Sequence, residues 1–148
     1  MSAAEILRRL RLFLLLLALA IFSGALVELW LVKHTEDAVQ WIAFFLGGTG
    51  LLVVLVVLLR RNQTTVRILQ ICMMLVVAGS LFGIYQHVSG NFHLEREIHP
   101  TSPLSSAILK AFGGANPLLA PGTLAVAALL ALAGTYRSSV VDDVSTQD

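Results

Sequence analysis

Four long apolar runs, separated by polar connections, dominate this chain. The first extends from about Leu12 to Val32, the second from Trp41 to Leu59, the third from Ile68 to His87 and the fourth from about Leu118 to Tyr136. A hydrocarbon core about 30 Å thick is crossed by about 20 residues of helix. Each run is apolar on every side rather than striped, as expected of a helix surrounded by lipid and by other helices. The pattern predicts an all-α integral membrane four-helix bundle. The fourth run is alanine-rich and carries Pro121 and Gly122 near its start, so its first residue is open between Pro117 and Pro121. The first run follows three arginines but exceeds the roughly 7–15 apolar residues of a cleavable signal. It continues through Leu26, Val27, Leu29 and Trp30, and is taken as a retained span.

Smaller signals punctuate the runs. Ser2 and Glu5 have the spacing of a capping box at the start of the first helix. The connection 88–116 is the one loop long enough to fold by itself, and SPLSSAILKAFGG within it predicts a short helix. Ser102 would cap it, Pro103 suits the first turn and Gly113 the exit. Leu104, Ile108, Leu109 and Phe112 would then form one apolar face, lying on the outer membrane surface or over the mouth of the bundle. Asn116 and Pro117 have the character of a cap and first residue for the fourth helix. Leucine gains nothing by leaving lipid for another helix, so association depends on small residues that let backbones approach. Gly47, Gly48 and Gly50, the Gly79–Gly83 pair, and Ala127, Ala131 and Gly134 supply them. Trp30, Trp41, Tyr85 and Tyr136 fall near the expected interfaces.

Composition agrees with this organisation. Of 148 residues, 57% are hydrophobic and 13% charged, against about 45–50% and about 25% for soluble domains. One membrane domain, 1–137, is expected, with 138–148 a disordered cytoplasmic tail. A net charge of +1 and the lack of a basic patch interleaved with aromatics argue against a nucleic-acid partner. Cys72 is the single cysteine, which excludes an internal disulfide and the thiol-redox membrane enzymes. Arg8, Arg9, Arg11, Arg60, Arg61, Arg67 and Arg137 flank the spans on one side, and Lys33, Arg96 and Lys110 on the other. That bias puts both termini in the cytoplasm and the protein in a bacterial inner (plasma) membrane.

The orientation gathers the chain's polar chemistry outside. His34, His87, His93 and His99 lie there, with Glu28, Glu36, Asp37, Glu95 and Glu97. In the stretch HVSGNFHLEREIHP, an extended chain would point His93, Glu95, Glu97 and His99 one way. A helix would instead stack His93 on Glu97 and Glu95 on His99. Either geometry joins imidazole to carboxylate, a set that a divalent metal ion accepts, with His87 and His34 as further ligands. The spacing is not diagnostic of any metal site, however, and a solvated edge balanced by Arg96 accounts for it as well. Haem held by two histidines needs both inside the helix bundle, and here the histidines lie at or beyond the ends of the spans.

Within the spans, Gln70 and Ser80 are mild polar groups expected to be satisfied locally. Glu28 sits about one turn inside the outer end of the first span, where ionisation in hydrocarbon is costly. It is either a coupling acid or an interfacial group that reaches water or pairs with Lys33. The chain carries no nucleophile beside a base, no phosphate-binding loop and no buried charged path. The expected function is a non-enzymatic accessory or structural subunit of a larger membrane protein complex, whose partners are the bilayer and a membrane protein or further copies of the chain. The alternatives are an outer-face metal-binding or transport protein, and a small oligomeric transporter coupled through Glu28.

Overall fold

A computed structural model describes residues 2–35 and 37–136; the expected disordered tail, with Arg137, lies outside these, as does Glu36. Among the described residues there are five helices and no strand: α1 (Ala3–Leu31), α2 (Gln40–Leu59), α3 (Gln63–Ile98), α4 (Leu104–Ala111) and α5 (Leu119–Thr135). The first three are long and apolar enough to cross a membrane. α5 is an apolar helix of 17 residues, about 26 Å long at the α-helical rise.

α1 and α3 each pack against both α2 and α5, while α2 and α5 meet only slightly. Leu15, Ala18, Phe22 and Ala25 of α1 join Val54 and Val57 of α2, Leu69, Met73 and Val76 of α3, and Leu124, Ala127, Ala128 and Ala131 of α5 in one core. Small residues set the spacing, as membrane packing requires. A Cβ on Gly50 would meet the Phe22 ring at 2.5 Å, and one on Gly134 would meet Leu15 at 3.0 Å. Gly79 faces Leu46 of α2, whereas Gly83 faces Pro121 of α5, so the two glycines of the GxxxG pair serve different neighbours. Leu16, Phe45, Leu52, Met74, Leu75 and Leu81 remain exposed, which carries no penalty where the surroundings are hydrocarbon.

Polar ends fix the helices. Ser2 Oγ accepts from the Glu5 N–H at 3.2 Å. The Glu5 carboxylate pairs with Arg9 at 2.8 Å, so the capping box is made in one direction. α3 opens with a complete box in which the Asn62 side chain accepts from Thr65 N–H and Thr65 Oγ1 accepts from Asn62 N–H. Arg11 and Arg61 donate to the carbonyls of Tyr136 and Gly134, at 2.8 and 3.5 Å. These bonds bring the end of α5 beside the start of α1 and the α2–α3 turn, and occupy carbonyls that a helix end leaves without partners.

Three expectations at the far end change. α3 continues to Ile98, about three turns beyond His87, so residues 88–98 are helix rather than the opening of a loop. α4 forms where SPLSSAILKAFGG placed a helix, but its N-cap is Pro103 and Ser102 makes no cap bond. The serine stands one residue too early, and its Oγ is buried without a partner. α5 begins at Leu119 with no side-chain cap: its N-cap is Leu118, two residues past Asn116, whose backbone is held by Asn91. Ala107 and Ala111 bury against α3, leaving Leu104, Ile108, Leu109 and Phe112 exposed. The alanine face packs because it permits the closer approach.

Candidate functional site

At the end of the helices remote from Arg11 and Arg61, a cleft of about 980 Å³ opens between α1, α2, α3 and the start of α5. It exists because α2 and α5 barely meet across it and because Ala43, Gly79, Gly83 and Ala120 in its walls are small. Polar groups come from α1 (Glu28), the α1–α2 connection (His34 and Asp37), α2 (Gln40), α3 (Ser80, Gln86 and His87) and the segment before α5 (Asn116). Leu29, Ile42, Leu46 and Phe82 supply apolar wall between them. Among the described residues, no lysine or arginine lines the cleft.

His87 is anchored through Nδ1, which lies 2.9 Å from the Pro117 carbonyl oxygen. That oxygen only accepts, so Nδ1 carries a proton in this contact. The His34 ring lies 6.5 Å from that of His87, centre to centre, with the planes tilted by 48°. Burial, and then the charge of His87, hold the His34 imidazole below the ordinary histidine pKa.

Glu28 is exposed on the cleft, and no ion pair joins it to Lys33 among the described residues. Lys33 takes a left-handed backbone, φ 52°, just past the end of α1, which removes it from the helical register that a pair with Glu28 needs. Ser80 is 1% exposed, and its Oγ has no hydrogen-bond partner. A serine in a helix ordinarily returns its hydroxyl to the carbonyl four residues back; Ser23 does so at 2.9 Å. Ser80, expected to be satisfied locally, is not.

The expected His/Glu cluster divides. Because α3 is helical to Ile98, its i,i+4 spacing operates: His99 Nδ1 lies 3.1 Å from Glu95 Oε1, and Lys110 of α4 reaches the same oxygen at 2.6 Å. Glu95 stands two turns beyond His87, clear of the apolar stretch of α3. The hydrogen bond from Lys110, and its charge with that of His99, hold the Glu95 carboxyl below the ordinary glutamate pKa. His93 and Glu97 are exposed; the His93 ring meets the Phe92 ring edge-on at 5.9 Å. His34 and His87 belong to the cleft. Among the described residues no three of His, Cys, Asp and Glu are placed to hold a metal ion.

Sequence reasoning passed over Asn91. This side chain is 2% exposed and makes three hydrogen bonds. Its Nδ2 donates to the carbonyls of Ala111 (3.0 Å) and Asn116 (2.9 Å), and its Oδ1 accepts from Asn116 N–H (2.8 Å). The segment leading into α5 is thereby held against α3, which brings Pro117 to His87. Its local signal was Ser89-Gly90-Asn91, a run more typical of a turn than of a helix.

Comparison of the chain with protein-family models, with curated proteins and with solved structures finds no match.

Proposed function

We propose that the chain is a four-span protein of a bacterial inner membrane, with both termini cytoplasmic, that receives a small ligand in the cleft at its outer end. The observation that carries this reading is the cleft itself. It is polar at several points and apolar between them, and Ser80, whose hydroxyl has no partner, is among its lining residues. Pockets of about 300–1,000 Å³ with a few fixed polar groups are the usual form of a small-molecule site. The arginine bias supports the orientation. α5, tied by Arg11 and Arg61 to the end that holds the N-terminus, supports a fourth crossing despite its length, since a bilayer thins around a short span.

Cysteine labelling tests this reading. In a Cys72→Ser background, Glu28→Cys should react with a membrane-impermeant maleimide added to intact spheroplasts, and Arg60→Cys only after permeabilisation. The opposite pattern would place the cleft on the cytoplasmic side and overturn the proposal.

A second reading, as an accessory subunit of a membrane complex, is favoured by one observation: α4 holds Leu104, Ile108, Leu109 and Phe112 exposed on a firmly seated helix. Mild-detergent purification should then return a stoichiometric membrane partner that Leu109→Ser removes; recovery of this chain alone would dismiss it.

A further inference from the structure

We infer that the cleft accepts an amphiphilic organic cation, an ammonium- or phosphonium-type charge carried on an apolar body. The inference rests on the ligand-cleft reading above and names the ligand's class.

Charge comes first. Among the described residues the lining contains two carboxylates, Glu28 and Asp37, and neither lysine nor arginine. Lys33, the one cation close in sequence to Glu28, makes no ion pair with it. An anionic ligand would meet repulsion without a compensating group. A carboxylate near hydrocarbon is costly to leave unpaired, and a cation seated beside it offsets that cost.

The hydrogen-bonding inventory leaves room for a cation: both carboxylates only accept, while the side-chain amides of Gln40, Gln86 and Asn116 in the lining carry an acceptor as well as donors. Ser80, 1% exposed and with no hydrogen-bond partner for its Oγ, is a further polar residue of the lining. A bare metal ion needs several convergent ligands, and no such group is present among the described residues. The apolar walls from Leu29, Ile42, Leu46 and Phe82 suit a hydrophobic body, and Phe82 adds an aromatic ring of the kind that favours cations.

The test uses the full chain in phosphatidylcholine nanodiscs, titrated with tetraphenylphosphonium and with tetraphenylborate, an anion of the same shape. The phosphonium should bind saturably above empty nanodiscs, and Glu28→Gln should weaken it about tenfold, as loss of one ion pair would. Glu97→Gln, remote from the cleft, should leave binding unchanged. The borate should show no saturable binding. Gln86→Cys in the Cys72→Ser background keeps both acids, and its maleimide labelling should slow in the phosphonium but not in the borate. Equal saturable binding of the two ions, with Gln86→Cys protected by both, would overturn the cation assignment and leave the cleft standing. Saturable binding of neither ion, with no protection by either, would overturn the cleft reading together with this one.

Discussion

Asn91 and Asn116 hydrogen-bond each other in both directions, 25 residues apart: the side-chain amide of Asn91 donates to the Asn116 carbonyl and its oxygen accepts from the Asn116 N–H. With its further bond to the Ala111 carbonyl, one buried side chain imitates the edge of a strand and pins the turn between α4 and α5.

Replacing Asn91 with Ala leaves two carbonyls and an N–H without their partner. Buried groups so abandoned cost about 1–3 kcal/mol each where water cannot reach them; with partial rehydration, Asn91→Ala should lose about 2–3 kcal/mol. Hydrogen exchange over residues 104–117 should accelerate. Lys110→Met removes an ion pair whose lysine side chain is 51% exposed, so solvent screening leaves it a small contribution. Thermal melts that found the two variants equally damaging would remove Asn91 from this role. Gly114→Ala should act like Asn91→Ala, because its Cβ would stand 2.7 Å from Asn91 Oδ1.

Gly50 and Gly24 make a matched pair. A Cβ at Gly50 would lie 2.5 Å from two atoms of the buried Phe22 ring, whereas at Gly24 it would meet nothing within 4 Å. Gly50→Ala should therefore force α1 and α2 apart at a cost of about 1–3 kcal/mol. Gly24→Ala should be neutral or gain up to about 1 kcal/mol from helix propensity. Unfolding in detergent should rank Gly24→Ala at or above the parent and Gly50→Ala below it; the reverse order would contradict the packing.

The long helices were legible because lipid selects composition residue by residue, and α1, α2 and α3 cover the runs that hydropathy marks. The glycines were legible as packing sites but not their partners, since which helix Gly79 or Gly83 meets depends on how the helices are arranged. The extension of α3 was not legible. Ser89, Gly90 and Asn91 are poor or mediocre helix formers, and it is the tertiary role of Asn91 that makes a helix there worthwhile. The site was half visible: Glu28, His34 and His87 were each singled out, but from different segments, and only packing gathers them around one cleft. Of the cluster read from HVSGNFHLEREIHP, helical spacing keeps Glu95 with His99, while His87 and His34 line the cleft instead.

His34 makes the cleft sensitive to acid. Its folded pKa lies below the ordinary 6.5, through burial and the neighbouring charge of His87. The unfolded chain therefore takes up a proton near 6.5 while the folded chain withholds it, so the unfolded state binds more protons. Stability from this group is complete above pH 6.5 and declines as pH falls from there toward the lowered folded value. Glu28, Asp37 and His87 line the same cleft, so His34→Gln is the variant that isolates the effect. Melts between pH 8 and 5 should show a shallower acid decline in His34→Gln than in the parent; parallel curves would assign the decline to other groups.

Ser80 separates the needs of the empty fold from those of a bound ligand. A buried hydroxyl with no partner costs free energy, and Ser80 has none. Removing it should stabilise the unliganded protein by about 1 kcal/mol, the lower part of the range for an unsatisfied group; rotation of the hydroxyl toward its own helix would recover some of the cost and reduce the gain. Thr135 is the internal contrast. It is equally buried, but its Oγ1 bonds the Ala131 and Leu132 carbonyls at 3.1 Å, so Thr135→Val should bring no such gain. The comparison is thermal unfolding of Ser80→Ala and Thr135→Val in ligand-free detergent. A rise in midpoint for Ser80→Ala alone is the expected result. A fall of similar size in both variants would mean that Ser80 is satisfied after all.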